Sequence, residues 1–314
     1  MIGTLQKWGS FVKLSHTVFA LPFALAAMAI AARDNRGWPG WRIFLLVVGA
    51  MVSARTCAMA FNRIVDRKFD SENPRTAGRH LPTGQISLPS AVALCALSGA
   101  GLVACAWALN PVCLMLSPVA LFFVCFYSLT KRFTDYTHVW LGIALALAPL
   151  GAWLAVQGGL EFFPERNGEL SLRHSAFVVV LMSFAVVFWL IGFDIIYALQ
   201  DYEFDRRHGL HSLVVAWGPN NALMAAFLAH MIMWGLLALM GLLARFHLPY
   251  LTGMLVILGS LLLEHFIARR RNRKPEWVQI AFFRLNGLIS VVLLTVTVVE
   301  VIFPGFRLSE QLPR

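Results

Sequence analysis

The chain has 314 residues, of which 59% are hydrophobic and only 13% charged, and its mean hydropathy is +0.70. Soluble proteins carry roughly 45–50% apolar and about 25% charged residues. That balance excludes a disordered chain, a soluble nucleic-acid binder and an ordinary cytosolic enzyme, and it puts most of the chain against lipid. The net charge of +10 sits in short segments between apolar runs, where it reads as an orientation signal and not as a nucleic-acid surface.

A membrane-crossing helix needs ~20 mostly apolar residues. Nine stretches qualify, at 15–33, 42–61, 88–108, 111–130, 136–157, 175–199, 221–243, 248–268 and 278–303. Asn110-Pro111 marks the tightest turn, a Gly-rich polar loop follows 157, and Gly218-Pro219-Asn220-Asn221 marks another stop and start. The first run lacks a small-residue cleavage site and is read as a span, not a leader. The five cysteines lie in or beside apolar runs, odd in number and without metal spacing, so they read as small apolar residues. The expected fold is all-α, an integral membrane bundle of nine helices forming one domain over 1–314.

Eighteen of the 26 Lys and Arg fall on one side of this topology, Arg55 and Arg63 counted among them, and eight on the other. The amino terminus and the loops after spans two, four, six and eight are therefore expected in the cytoplasm, with the protein in the inner membrane. The basic cluster at 269–274 reads as a contact for anionic lipid.

Two polar sets close spans on that side. Asn62, Asp66 and Asp70 follow span two, and Tyr197, Asp201 and Asp205 follow span six. Within each set the spacing is four residues, which on a continuous helix aligns the side chains in one stripe. Corresponding members stand 135 residues apart, an internal repeat of about four spans. Carboxylates this close to a bilayer are costly and repel one another unless cations lie between them. Two acidic stripes facing one cavity suit two Mg²⁺ ions bridging a diphosphate. Arg75, Arg79, Lys131 and Arg132 lie in loops on the same face and are candidates for the phosphate oxygens.

With these residues the chain resembles the UbiA superfamily of intramembrane aromatic prenyltransferases. The resemblance rests on Asn62-x3-Asp66-x3-Asp70, Arg75-Thr-x2-Arg79-x-Leu81-Pro82-x-Gly84 and Tyr197-x3-Asp201-x3-Asp205-x3-Gly209, with Arg63 a departure where relatives often have an acidic residue or an Asn-Asp pair. It implies nine helices around a central cavity, Mg²⁺ dependence and a polyprenyl diphosphate donor, with Lys131 on the diphosphate. Metal ligands would then be Asp66, Asp70, Asp201 and Asp205. Asp194 and Tyr197 are candidates for stabilising an allylic cation or taking a ring proton. Lys13 and His16, at the mouth of span one, are candidates for an acceptor carboxylate, with snorkelling of Lys13 and a structural His16 as the plain alternatives. The expected reaction is transfer of a polyprenyl group to a ring carbon of an aromatic acid, 4-hydroxybenzoate first. The Ser15-His16-Thr-Val-Phe-Ala-Leu-Pro22 opening also looks like enzymes of a menaquinone route with a naphthoate-type acceptor. A transporter of anionic metabolites is the rival of another class, weakened because the repeat is parallel and its polar sets cluster at one face. Glu264, His265 and Glu300 are expected in structural or interfacial roles.

Overall fold

The structure, a computed structural model, describes residues 2–13, 17–159, 165–166, 169–170, 175–270 and 280–303. Its long elements are all helices: α1 (Ile2–Phe11), α2 (Thr17–Ala31), α3 (Trp41–Glu72), α4 (Leu88–Leu109), α5 (Pro111–Thr130), α6 (Thr137–Gln157), α7 (Ser175–Ala198), a short α8 (Tyr202–Arg207), α9 (Leu213–Leu243), α10 (Leu248–Arg269) and α11 (Asn286–Ile302), the last entered through a π-helical turn at Ile280–Leu285. A two-residue antiparallel pair, Glu165–Arg166 against Glu169–Leu170, lies between α6 and α7. Among the described residues eight helices are long and apolar enough to cross a membrane, and α2 is a shorter apolar helix of 15 residues. The chain is thus a multi-pass membrane protein.

Helix ends follow local chemistry. Asn110 closes α4, and its side-chain oxygen accepts the Cys113 N–H at 2.8 Å to start α5, with Pro111 in the first turn. Ser87 and Ser212 cap α4 and α9 in the same way. Gly158 ends α6 at φ +74°, a conformation that glycine adopts without steric cost. α9 begins before the expected span, at Leu213, and breaks at Gly218.

Neighbouring spans pack in order from α3 through α7, then α9, α10 and α11, and α11 returns onto α2, which also packs on α6. The polarity is that of a lipid-immersed bundle: Leu97, Trp107 and Leu242 are more than 70% exposed, while His230, Glu264 and Asn286 are fully buried. These buried groups join helices. Trp189 Nε1 donates to Asn286 Oδ1 at 2.7 Å, Asn286 Nδ2 donates to Glu264 Oε1 at 2.9 Å, and the rings of His230 and His265 meet at 2.9 Å. Gly192 makes room for His230, since a Cβ there would lie 2.3 Å from the imidazole. Glu300 accepts the backbone N–H groups of His247 and Tyr250 at the start of α10. Glu264, His265 and Glu300 therefore have the structural roles expected of them. All five cysteines are free thiols.

The feature that positions the site is the length of α3. Its 32 residues span about 48 Å, well beyond the ~30 Å hydrocarbon thickness. The last turns, with Asn62, Asp66 and Asp70, emerge at one end of the bundle and meet the loop at 73–87, the α5–α6 turn and the α7–α8 turn there.

Candidate active site

The two acidic sets face each other across one polar cleft of about 200 Å³, lined by Asn62, Asp66, Asp70, Asp201, Asp205 and Tyr197 among others. Asn62, Asp66 and Asp70 stand on the unbroken α3, as their spacing predicts. The second set departs from the expected stripe. α7 ends at Ala198, a turn follows, and Asp201 opens α8. Tyr197, Asp201 and Asp205 therefore do not share one helix, yet the turn keeps all three on the cleft.

The expected phosphate-binding cations pair instead with these carboxylates. Lys131 Nζ and Arg132 Nη2 lie 3.4 and 2.9 Å from the two oxygens of the buried Asp66. Asn62 Nδ2 donates to Asp66 Oδ2 at 3.0 Å. Arg79 donates to Asp70 Oδ1 at 2.6 Å, and Arg63 stands 3.9 Å from Asp70 Oδ2. The Arg75 guanidinium grips both oxygens of Asp201 and donates to the Tyr197 hydroxyl at 3.0 Å. Asn73 Nδ2 donates to Asp201 Oδ1 at 2.9 Å. Burial alone would lower the Arg75 pKa, but its bonds to Asp201 and Tyr197 hold it above the usual range. Asp205 makes no ion pair among the described residues. Burial, with Asp201 adding to it against Lys131, raises its pKa to about 6.

The cleft opens onto a second, larger space of about 660 Å³ with an overwhelmingly apolar wall, drawn from α2, α3, α4, α5, α6 and α7. Asn62, Arg79, Tyr127, Leu141, Asp194 and Tyr197 line both spaces and mark their junction. Asp194, one turn deeper than Tyr197, takes a 2.6 Å hydrogen bond with His138 Nδ1. Lys13 lines the apolar cavity, its ammonium 6.0 Å from the centre of the Tyr197 ring, so it reaches inward and does not snorkel. Burial, then the nearby guanidinium groups of Arg63, Arg79, Arg75 and Arg55, push its pKa down to about 7. His16 lies outside the described residues.

Arg55 and Arg63 are misplaced by a topology count. Both sit in α3 and line the apolar cavity, so they are not loop residues that orient the chain. Arg55 is seven residues, about 10 Å, deeper than Asn62. It makes no hydrogen bond or ion pair among the described residues, and its Nε is buried without a partner. A cation inside an apolar span is by itself a functional signal, and that signal was present in the sequence.

The UbiA prenyltransferase family model matches residues 20–287. The chain belongs to the UbiA prenyltransferase family. Among its relatives is a 4-hydroxybenzoate octaprenyltransferase from Burkholderia vietnamiensis, 32% identical over 269 residues that cover 86% of this chain and 85% of the relative. The apo structure of a UbiA homolog from Aeropyrum pernix K1 superimposes with a TM-score of 0.77 at 30% identity, covering 91% of this chain and 98% of the other. A UbiA homolog from Archaeoglobus fulgidus, whose structure holds GPP and Mg²⁺, shares the fold at a TM-score of 0.69 and 22% identity, covering 94% and 99%. This UbiA-family protein is accordingly a membrane prenyltransferase, and the transporter alternative falls.

The UbiA-family cleft suits a divalent metal in its donor set. Hard cations take carboxylate oxygens, and Mg²⁺ commonly binds through one or two carboxylates plus substrate phosphates. Asp70 Oδ2 is buried with no hydrogen-bond donor among the described residues. Among the described residues no three His, Cys, Asp or Glu side chains converge on one point.

Proposed function

We propose that this enzyme transfers a polyprenyl group from its diphosphate to a ring carbon of an aromatic acid, 4-hydroxybenzoate being the leading acceptor. The observation that carries this reading is the junction itself: a cleft of matched carboxylates and cations opens directly into an apolar cavity whose wall holds an arginine with no ion-pair partner among the described residues. The relative's name and the GPP and Mg²⁺ of the structural neighbour support it.

The metal ligands are Asp66 and Asp70 on one side and Asp201 and Asp205 on the other. Bound Mg²⁺ supplies positive charge that stabilises the departing diphosphate. Arg75, Arg79, Lys131 and Arg132 exchange carboxylate partners for phosphate oxygens, with Asn62 holding Asp66 in place. The isoprenoid tail lies in the apolar cavity, out of water. Tyr197, at the junction, offers its hydroxyl and ring face to the allylic carbon as charge develops there. Arg55 and Lys13 receive the acceptor carboxylate, which sets the ring between them and the donor. Asp194 takes the ring proton.

Product identification tests this reading. The purified enzyme in lipid nanodiscs, given a polyprenyl diphosphate and Mg²⁺, should convert 4-hydroxybenzoate to a ring-prenylated acid detected by mass spectrometry, and a chelator should stop it. Product only with a naphthoate-type acceptor would replace the benzoate assignment, and no product with any aromatic acid would overturn the reaction.

Lys13 gives the acceptor site a pH signature. With its ammonium at about pKa 7, the lysine is protonated below pH 7 and neutral above it before the acceptor binds. An acceptor carboxylate stabilises the protonated form, so binding above pH 7 must take up a proton. The acceptor KM is expected to be flat below pH 7 and to rise by up to about tenfold per unit above it. Lys13→Met should flatten that dependence. A KM equally flat in both proteins would remove Lys13 from the acceptor site.

The same reading sets orientation. In a cysteine-free background, Gly78→Cys in the cleft-side loop should react with a membrane-impermeant thiol reagent only from the cytoplasm, and Asp34→Cys, beyond α2, only from outside. The reverse pattern would invert the topology.

A further inference from the structure

We propose that His138 is a positioning residue for proton removal: its imidazole holds the Asp194 carboxylate at the junction of the two cavities, so that Asp194 accepts the proton that the ring loses. The inference deepens the prenyl-transfer reading above and rests on it.

The pair is built by helix packing. α6 and α7 run side by side, and Gly142 of α6 lies against the backbone of α7, where a Cβ would come within 2.9 Å of the Val187 carbonyl oxygen. His138 precedes Gly142 by one turn, and Asp194 follows Val187 by two. The close approach at Gly142 thus brings His138 Nδ1 to 2.6 Å from Asp194 Oδ2. His138 is 1% exposed, whereas the Asp194 side chain is 23% exposed and borders both spaces. A carboxylate partner fixes a proton on Nδ1. The bond leaves the second Asp194 oxygen without a donor among the described residues.

Two observations separate this arrangement from simple helix glue. First, His138 Nε2 is buried with no hydrogen-bond partner among the described residues, a cost that an apolar residue at 138 would avoid. Second, among the described residues His138 makes the one hydrogen bond to this carboxylate, so its imidazole is the polar group that holds it. It is not among the carboxylates paired with Arg75, Arg79, Lys131 and Arg132, and so is left to act on the acceptor.

The chemistry balances. A carbon–carbon bond forms between the allylic carbon and the ring as the carbon–oxygen bond to diphosphate breaks. The ring C–H electron pair then restores aromaticity, its proton passes to Asp194, and from there it leaves to water at the polar cleft.

The test uses the full-length enzyme in nanodiscs with wild type as reference and acceptor deuterated at the reacting carbon. His138→Ala should lower kcat by about ten- to a hundredfold, leave the prenyl diphosphate KM within about twofold, and raise the ring-deuterium isotope effect on kcat, because proton removal becomes slower than the preceding steps. His138→Asn, whose amide can donate from nearly the position of Nδ1, should recover most of the rate and return the isotope effect toward the wild-type value. An unchanged kcat in His138→Ala, a loss with no change in isotope effect, or a folded His138→Asn as slow as His138→Ala would each overturn the inference. If His138→Ala does not fold, the His138→Asn rate and isotope effect decide alone. A wild type that prenylates no aromatic acid overturns the functional reading and this inference with it, whereas an active wild type with any of the failures above overturns only the inference.

Discussion

Asp66→Ala and Asp201→Ala are expected to reduce turnover by about 10³-fold or more, on the order of 4 kcal/mol of transition-state stabilisation. Each substitution removes one wall of the acidic cleft and strips its cations of their partner: Lys131 and Arg132 lose Asp66, and Arg75 loses Asp201, as does the neutral amide of Asn73. The cations left behind keep about 30% of their side-chain surface exposed and can be hydrated, so both variants should insert and purify as wild type does. Asp66→Asn and Asp201→Asn keep the shape but not the charge, and should be nearly as inactive. Initial rates at saturating donor, with size-exclusion profiles as the folding control, decide the matter. Turnover within tenfold of wild type in either alanine variant would sink the two-sided metal site.

Arg55→Leu should raise the acceptor KM about a hundredfold and leave the donor KM near normal. A charge-assisted hydrogen bond is worth roughly 1.5–3 kcal/mol, with the upper end fitting a site shielded from water. The same substitution should leave thermal stability unchanged or higher, because a cation in an apolar wall with no ion-pair partner among the described residues costs free energy that leucine does not. Loss of acceptor affinity together with gained stability is the combined signature. A variant that loses stability and keeps its acceptor KM would show Arg55 to be a structural residue.

The extent to which the site could be read in advance depended on whether its parts lie on one element. Asn62, Asp66 and Asp70 were legible because α3 stays helical through Glu72 and the four-residue spacing holds. The second set was found by the same spacing although α7 ends at Ala198. The three positions reach the cleft through a turn, which spacing cannot distinguish from another turn of helix. Helix limits such as Leu109 to Pro111 were legible because Asn and Pro fix them chemically. The 126-residue separation of Arg75 and Asp201 was not legible, nor was the 56-residue separation of His138 and Asp194, since nothing local to either residue names its partner. Arg55 was visible but misassigned: a rule that counts cations by side of the membrane takes an arginine inside a span for a loop residue.

The ion pairs of the cleft have a consequence for how ligands enter. Asp66, Asp70 and Asp201 are already balanced by Lys131, Arg132, Arg79 and Arg75. A divalent ion arriving alone would compete with those cations, and a diphosphate arriving alone would compete with those carboxylates. Each would leave a displaced charge with no partner, which is expensive where water is scarce. Arriving together, they offer the carboxylates a new cation and the cations a new anion, and the exchange conserves charge. Metal and donor affinities are thereby tied: each strengthens the other by the same factor, as thermodynamic reciprocity requires. Titrating the donor at fixed metal, and metal at fixed donor, should return one common coupling constant.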